Sequence, residues 1–151
     1  MMKNILVVED NATHAELIYR AFSDDSERFA VEIVDTLSDA HERIKAESPA
    51  LALVDIVLPD GKGIDLLKEC KQECSFPIVV MTSHGDEQVA VDAMKAGALD
   101  YIVKTPATLI DLPHITERAL REWQHILARR HAEAQFRRSN AELRAFVETA
   151  A

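Results

Sequence analysis

Apolar and polar residues alternate along the first three quarters of the chain in a pattern that predicts five strands, each followed by a helix. The strands are predicted from short apolar runs at residues 4–8, 31–34, 51–58, 77–82 and 101–103. Between these runs, apolar residues recur every three or four positions, as they do on one face of an amphipathic helix. The expected fold class is therefore α/β, a doubly wound five-stranded parallel sheet with helices on both faces.

The ends of the helices are predicted from capping residues, glycine and proline. Thr13 is a candidate cap for the first helix. The fourth helix is expected over about residues 87–96, because Gly97 is a typical helix-end residue. The fifth helix is expected to begin near Leu112 or Pro113, since proline suits the first helical turn.

The third predicted strand contains a single carboxylate. Its apolar run, residues 51–58, is interrupted only by Asp55 and stops at Pro59 and Gly61. Such a run is typical of a strand buried on both faces of a parallel sheet. A lone aspartate is costly to bury unless it is paired, and ligands of open α/β sheets bind just outside the carboxyl ends of the strands. Asp55 is therefore either a site residue or a strand-end cap.

Composition and charge argue against several classes of protein. The net charge of −9 argues against a nucleic-acid-binding module. No apolar run approaches the ~20 residues of a membrane span, and the first residues lack the apolar stretch of a signal peptide. A cytoplasmic location is expected. Cys70 and Cys74 lack the further Cys and His partners of a zinc site, so they are expected to be reduced thiols.

The charge is unevenly distributed along the chain. Residues 1–117 carry 10 basic and 22 acidic side chains, whereas residues 118–151 carry 7 arginines and 4 glutamates. The last segment also contains no Gly or Pro, which predicts a continuous helix. The sequence thus predicts an acidic domain followed by a mildly basic helical tail.

The tail contains four residues with the 4-3-4 spacing of a coiled-coil seam. These residues are Phe136, Asn140, Leu143 and Val147, and the same register further back holds Ile126, Arg129 and Glu133. A solvated terminal helix and a parallel dimeric coiled coil are both compatible with this pattern. An arginine-rich nucleic-acid arm ranks third, because the arginines alternate with glutamates.

Polar side chains stand at the carboxyl ends of four predicted strands. They are Glu9 and Asp10, then Asp55, then Thr82 and Ser83, and finally Lys104. Because the strands are parallel, these side chains are expected to meet at one edge of the sheet. Three carboxylates would repel one another, and Mg²⁺, which prefers oxygen ligands, relieves that repulsion. Together with Lys104 and the Thr82 hydroxyl, they describe a site for a phosphoryl group attached to, or passing through, Asp55.

Four fragments at these strand ends resemble the receiver domain of two-component response regulators. The fragments are Val8–Asp10, Asp55–Gly61, Met81–Ser83 and Ala96–Lys104. The resemblance implies a flavodoxin-like sheet with strand order 2-1-3-4-5. It also implies a receiver domain over residues 3–118, followed by a helical extension over residues 119–151 that is a candidate coiled-coil linker.

The resemblance implies that Asp55 accepts a phosphoryl group from the phosphohistidine of a histidine kinase. It implies a Mg²⁺ site formed by Glu9, Asp10, Asp55 and the backbone carbonyl of Val57. Glu9 would bind directly or through water, and a role as a solvated neighbour is the alternative for it.

Three further roles follow from the same resemblance. Lys104 would pair with a phosphoryl oxygen, and Thr82 would approach the phosphoryl group once it is present. Tyr101 would change rotamer together with Thr82 and reshape the surface formed by the fourth helix, fifth strand and fifth helix. A half-buried core aromatic is the alternative for Tyr101.

The sequence departs from the family pattern at two positions. Receivers usually follow the lysine directly with proline, but here Thr105 lies between Lys104 and Pro106. Val57, two residues after Asp55, is apolar and cannot orient a hydrolytic water, so a long-lived phosphorylated form is expected. His84 is a candidate to orient a water in its place.

The expected function is a phosphorylation-activated switch in a two-component phosphorelay, not an enzyme with a separate substrate. The expected phosphoryl donor is a histidine kinase or a phosphotransfer protein. A second copy of the chain is a further expected partner, bound through the tail or through the face formed by the fourth helix, fifth strand and fifth helix. Binding to nucleic acid or to a membrane is not expected. A receiver-like interaction domain that is not phosphorylated is one alternative. An aspartyl-phosphate phosphatase is disfavoured, because such enzymes carry a second Asp where Val57 stands.

In the tail, the segment Arg137–Leu143 followed by Phe146 and Val147 resembles the coil that leads into the dimerisation domain of a histidine kinase. The chain is then either the amino-terminal receiver of a hybrid sensor kinase or a stand-alone receiver with a helical extension.

Overall fold

The computed structural model describes residues 2–69, 75–83 and 85–150. Three residues discussed above, Cys70, Cys74 and His84, lie outside the described residues. The elements in chain order are β1 Lys3–Val8, α1 Ala12–Ser23, β2 Phe29–Val34, α2 Leu37–Ala46, β3 Leu51–Asp55, β4 Val57–Leu58, β5 Gly61–Lys62, α3 Gly63–Glu69, β6 Ile78–Thr82, α4 Glu87–Lys95, β7 Asp100–Val103, α5 Pro106–Ile110 and α6 Leu112–Ala150.

Five of the strands form one parallel sheet in the order β2-β1-β3-β6-β7. The remaining two, β4 and β5, form a small antiparallel hairpin in the connection after β3. Without that hairpin, the order is the predicted 2-1-3-4-5, so the expected fold is confirmed. The register pairs Asp55 with Met81 and Val8 with Val54, and therefore brings the carboxyl ends of β1, β3 and β6 to one edge.

Helices cover both faces of the sheet, as the unbroken apolar runs of the strands require. On one face, alternate residues of β1, β3 and β6 pack with Leu37 of α2, Leu66 of α3 and Ala93 of α4. On the other face, the intervening residues pack with Phe22 of α1 and Leu112 of α6. The central strand β3 is buried along its whole length. This core holds the strand ends, and with them the polar side chains, in fixed positions.

The apolar run over residues 51–58 is not one strand, and that prediction was wrong. The strand ends at Asp55, and Val57 belongs to the following hairpin with its side chain 67% exposed. Pro59 and Gly61, both typical turn residues, return the chain within this hairpin. The apolar character of the run concealed the point at which the chain leaves the sheet.

The cap of α1 is Asn11 and not Thr13. The Asn11 side chain accepts a hydrogen bond from the backbone N–H of His14 at 3.0 Å, and the helix begins at Ala12. Asparagine is among the strongest capping residues, so the helix starts almost directly after β1. This early start brings the first turn of α1 next to the carboxyl edge of the sheet.

A short helix, α5, precedes α6 and was not predicted. It begins with Pro106, and the side chain of Thr105 caps it by accepting a hydrogen bond from Thr108 N–H at 3.1 Å. The departure from the family pattern after Lys104 is thus a Thr-Pro helix start. No peptide bond among the described residues is cis.

The chain divides into two compact units, Met1–Leu120 and Arg121–Ala151. The second unit is helical over its described residues, and its apolar side chains Phe136, Leu143 and Val147 are all exposed. In the described part of the chain, no helix has the length and apolar character needed to cross a membrane.

Candidate acidic site at the carboxyl edge of the sheet

Three carboxylates meet at the carboxyl edge of the sheet. Glu9 and Asp10 follow β1 directly, and Asp55 is the last residue of the neighbouring strand β3. One carboxylate oxygen from each lies within 4.8 Å of the others. Glu9 and Asp55 are buried, whereas Asp10 is exposed. The structure therefore brings together the three carboxylates that the sequence predicted to converge.

The side chain of Lys104 reaches this cluster from the end of β7. Its Nζ lies 2.7 Å from Oδ2 of Asp55 and 3.3 Å from Oε2 of Glu9, and its side chain is only 6% exposed. The backbone N–H of Lys104 donates to the carbonyl oxygen of Thr82 at 2.8 Å, which fixes the position of the Lys104 backbone at the end of the sheet. Burial alone lowers the pKa of Lys104, but Asp55 and then Glu9 outweigh it and raise the pKa.

Glu9 is the carboxyl group of the cluster whose ionised form is disfavoured. Burial and the neighbouring charge of Asp55 raise the pKa of Glu9 from 4.5 to about 7, although the Lys104 charge and a hydrogen bond from Asn11 N–H oppose them. One ammonium thus faces two buried carboxylates, and its shortest contact is with Asp55. A bound divalent cation would remove this imbalance.

The backbone after Asp55 folds tightly around that residue. The N–H of Val57 donates to Oδ1 of Asp55 at 3.3 Å, and the N–H of Gly63 donates to the carbonyl oxygen of Ile56 at 2.8 Å. A Cβ at Gly63 would overlap the carbonyl oxygen of Asp55, so only glycine fits there. Gly63 was not predicted to matter, because its role depends on this close approach of two backbone segments.

Thr82 and Tyr101 lie beside the site on adjacent strands. Thr82 is buried, and its hydroxyl donates to the carbonyl oxygen of Ile102 at 3.3 Å. Tyr101 pairs in register with Val80, and its side chain is 44% exposed. Ser83, the next residue after β6, is exposed. The joint rotamer change of Thr82 and Tyr101 stays a prediction.

His14 is a neighbour of the site that the sequence analysis missed. Its Nδ1 lies 3.6 Å from Oε1 of Glu9, and its side chain is one third exposed. The signal that would have found it is Asn11, because a cap at that position starts the helix at Ala12 and bonds the backbone N–H of His14 to a residue next to the site. A helix capped by Thr13 would start two residues later, further from the strand end.

The match to known proteins covers most of the chain. Residues 5–114 match the model of the response regulator receiver domain. The chain belongs to that family. Receiver domains of response regulators are phosphorylation-activated signalling domains of two-component systems, which is the function class predicted from the sequence. They bind Mg²⁺ at an acidic pocket, and in this receiver domain Glu9, Asp10 and Asp55 form an acidic cluster.

Two regulatory proteins illustrate the similarity of this receiver domain. The methanogenesis regulatory protein FilR1 of Methanothrix harundinacea is 38% identical over 130 residues, which are 83% of this chain and 29% of that protein. The transcriptional regulatory protein KdpE of Staphylococcus aureus is 33% identical over 104 residues, 69% of this chain and 44% of that protein. The chain thus spans less than two thirds of the length of these curated relatives.

Solved structures show the same receiver fold. The receiver domain of NtrX from Brucella abortus superposes with a TM-score of 0.67 at 33% identity, covering 78% of this chain and 98% of that one. A CheY-like receiver domain protein from Methanospirillum hungatei gives a TM-score of 0.68 at 29% identity, covering 83% of this chain and 99% of that one.

Proposed function

We propose that this receiver domain is a switch that accepts a phosphoryl group on Asp55. The observation that carries the proposal is the position of Asp55, which is buried at the end of the central strand with Lys104 at 2.7 Å. One Asp55 carboxylate oxygen would attack the phosphorus of a phosphohistidine. The new P–O bond forms as the P–N bond breaks, and the released imidazole keeps the electron pair and takes up a proton.

The residues present fit a Mg²⁺ ion. Their carboxylate oxygens are hard ligands, they lie within 4.8 Å of one another, and one of the three is exposed to solvent. Glu9, Asp10, Asp55 and the backbone carbonyl of Val57 would hold the ion. Bound there, Mg²⁺ would neutralise negative charge on the phosphoryl oxygens.

Lys104 and Thr82 act on the phosphoryl group after it arrives. The ammonium of Lys104 contacts Asp55, and this contact supports a role in which Lys104 would pair with a phosphoryl oxygen bonded to that residue. The hydroxyl of Thr82 would leave the carbonyl oxygen of Ile102 and donate to another phosphoryl oxygen. Tyr101 would then take up the space that Thr82 vacates, which changes the surface formed by α4, β7 and the first turns of α6.

The phosphoryl donor of this proposal is a histidine kinase or a phosphotransfer protein, and the domain turns over no separate substrate. A role as the amino-terminal receiver of a hybrid kinase and a role as a stand-alone receiver both fit the proposal. A cytoplasmic location and the absence of nucleic-acid binding stay predictions. Val57 disfavours a phosphatase, because it offers no carboxyl group for general acid catalysis.

Self-association through the tail is the second part of the proposed function. The seam places Phe136 and Leu143 at d positions and Asn140 and Val147 at a positions. A single asparagine at an a position is a known determinant of register and of two-stranded assembly. The face formed by α4, β7 and the first turns of α6, with its exposed Met94 and Tyr101, is the other candidate contact.

Charge favours a parallel over an antiparallel arrangement of two tails. One flank of the seam, the e positions, carries only arginines, and the other flank, the g positions, carries none. The e residues are Arg130, Arg137 and Arg144, and the g residues are Ala132, Ser139 and Phe146. In a parallel pair each e residue faces an uncharged g residue, whereas an antiparallel pair brings arginine against arginine.

Incubation of the full chain with Mg²⁺ and acetyl phosphate, followed by intact mass measurement, tests the phosphoacceptor role. We expect the wild type to gain one phosphoryl group and Asp55→Asn to gain none. No gain in the wild type would favour the interaction domain that is not phosphorylated. Continuous release of phosphate without a phosphorylated form would favour the phosphatase.

A further inference from the structure

The hairpin that follows Asp55 contacts helix α2. No sequence motif links these two segments. Strands β4 and β5 pair Val57 with Lys62, and Pro59 and Asp60 form the turn between them. At the start of this hairpin, Val57 N–H donates to Asp55. At its turn, Asp60 reaches the amino terminus of α2. The hairpin is therefore held at both ends.

The contact of Asp60 with α2 uses both carboxylate oxygens. Oδ1 accepts from the backbone N–H of Leu37 at 2.8 Å, and Oδ2 accepts from the backbone N–H of Ser38 at 3.0 Å. The first N–H groups of a helix have no partner within the helix. Thr36, the cap of α2, satisfies the N–H of Asp39 at 3.1 Å, so Asp60 and Thr36 together satisfy the N–H groups of three successive residues.

Electrostatics and packing both support a tight contact. The hydrogen bond from Leu37 N–H, followed by that from Ser38 N–H, holds the pKa of Asp60 below its usual range. A carboxylate at a helix amino terminus is also favoured by the helix dipole. Beside it, Gly61 has a φ of +154°, and a Cβ there would lie 2.8 Å from Cδ1 of Leu37. A larger residue at position 61 would push the hairpin away from α2.

We propose that Asp60 is a positioning residue that clamps the Val57–Lys62 hairpin to α2 and thereby holds the backbone carbonyl of Val57 at the acidic site. The proposal deepens the proposed function, since it rests on the role of that carbonyl as a metal ligand. The two residues lie in the same hairpin, so loosening its turn frees the carbonyl to move. By linkage, a cation bound at the site also stabilises the first turn of α2.

Three variants of the full chain separate positioning from general stability. Asp60→Ala removes both hydrogen bonds to α2. Asp60→Asn keeps one acceptor oxygen and is expected to recover part of the effect. Thr36→Ala is the matched control, because it removes a hydrogen bond from the same helix end but keeps both hydrogen bonds to Asp60.

Amide hydrogen exchange of the metal-free proteins, followed by NMR, measures the clamp directly. The informative amides are those of Lys62 and Gly63, which bond to Asp65 at 3.2 Å and to Ile56 at 2.8 Å and not to Asp60. In Asp60→Ala, which loses two hydrogen bonds to a charged group, we expect both amides to exchange at least roughly tenfold faster, since the loss of one such bond already has an effect of that size. In Thr36→Ala we expect faster exchange at Asp39 only. Unchanged Lys62 and Gly63 exchange in Asp60→Ala, or equal acceleration in Thr36→Ala, overturns the clamp.

Titration with Mg²⁺, followed by isothermal calorimetry, measures the consequence for the site. We expect Asp60→Ala to bind Mg²⁺ on the order of tenfold more weakly, a typical effect of losing a group that orients a metal ligand. Asp60→Asn should fall between it and the wild type, and Thr36→Ala should match the wild type. Wild-type affinity in Asp60→Ala overturns the positioning role. A wild type that does not bind Mg²⁺ rejects the proposed metal site instead, and the exchange experiment still decides the clamp.

Discussion

Nζ of Lys104 lies 2.7 Å from Oδ2 of Asp55, although 49 residues separate them in sequence. The two side chains are 6% and 7% exposed, so breaking this ion pair would leave two buried charges unpaired, which is energetically costly. The contact joins the end of β7 to the end of the central strand β3. The proposed nucleophile and the proposed phosphoryl-binding cation are thus held together before any phosphoryl group arrives.

Replacing Lys104 should destabilise the metal-free protein. Lys104→Met keeps the aliphatic volume but leaves Asp55 and Glu9 buried without a cation. We expect a loss of about 3 kcal/mol in the free energy of unfolding, the usual result of removing one partner of a buried ion pair. Urea unfolding at pH 8 with a chelator measures it. Lys62→Met, on the exposed hairpin, is the control and should be neutral. Equal stability of the two variants would contradict this role.

Removing the exposed carboxylate of the cluster should have the opposite effect on stability. Asp10→Asn reduces the repulsion among Glu9, Asp10 and Asp55, and we expect it to stabilise the metal-free protein by about 1 kcal/mol. The same change removes a metal ligand, so it should weaken Mg²⁺ binding.

Thermal unfolding with and without millimolar Mg²⁺ checks both effects of Asp10→Asn. The wild type should be stabilised by Mg²⁺ because only the folded state assembles the site. Asp100→Asn, at the start of β7 and therefore at the opposite edge of the sheet, is the control for losing one exposed aspartate. A melting temperature of the wild type that does not change with Mg²⁺ would rule out the cation site.

The convergence of Glu9, Asp55 and Lys104 was predictable because it depends only on topology. Glu9 and Lys104 follow apolar runs and Asp55 interrupts one, and in a parallel sheet the carboxyl ends of the strands all reach the same edge. The predicted convergence does not depend on the lengths of the helices or on the conformations of the loops. The placement of helices on both faces of the sheet followed from the alternation of strand and helix, whereas the strand order was implied by the resemblance to receiver domains.

The contacts made by Asp60, Gly63 and His14 were not predictable in this way. Asp60 bonds to residues 22 and 23 positions away, through a hairpin that the apolar run concealed. Gly63 matters because two backbone segments approach closely, and sequence alone does not show such an approach. His14 was missed because the capping potential of Asn11 was not recognised.

The raised pKa of Glu9 predicts how stability varies with pH. Its pKa is about 7 in the folded protein and near 4.5 when the chain unfolds, so the folded state binds more protons between these values. This stabilising contribution is complete below about pH 4.5 and is lost as the pH rises through about 7. Lys104, with a raised pKa, stays charged throughout this range and adds no slope.

Urea unfolding of the wild type and Glu9→Gln from pH 5 to pH 8, with a chelator, tests this dependence. Gln cannot ionise, so the variant should lose the part of the slope that Glu9 contributes and should gain stability relative to the wild type at pH 8. The expected difference between the two ends of the range is on the order of a few kcal/mol. Parallel pH profiles for the two proteins would show that Glu9 keeps its ordinary pKa.

The tail should control self-association. Its seam residues Phe136 and Leu143 are exposed, but Arg129 and Glu133 occupy the preceding positions of the register, so the dimer should be weak and concentration-dependent. Leu143→Lys places a charge in the seam and should give a monomer at every concentration. Sedimentation velocity over a concentration series measures this change.

Two further tail variants define the interface. Ala141→Lys lies outside the seam and should leave the dimer intact, whereas Asn140→Leu should strengthen association and relax the preference for two strands. If Leu143→Lys sediments as the wild type does at all concentrations, another surface, such as the face formed by α4, β7 and the first turns of α6, makes the contact.

The lifetime of the phosphorylated form should depend on Val57. An acyl phosphate on Asp55 is lost when water attacks in line, and the side chain two residues further on is exposed beside it. The side chain of Val57 offers neither a hydrogen-bond donor nor an acceptor to orient that water, and its branched shape hinders the approach of water to the phosphorus. We therefore expect slow hydrolysis, and Val57→Asn should accelerate it roughly tenfold by positioning water.

Val57→Ala separates the two causes, because it removes the bulk without adding a polar group. After phosphorylation and removal of the donor, the decay of the phosphorylated mass is followed at fixed Mg²⁺ for all three proteins. If orientation of water decides the rate, only Val57→Asn decays faster; if bulk decides it, Val57→Ala decays as fast as Val57→Asn. A wild type that decays at least as fast as both variants would mean that hydrolysis is controlled elsewhere in the site.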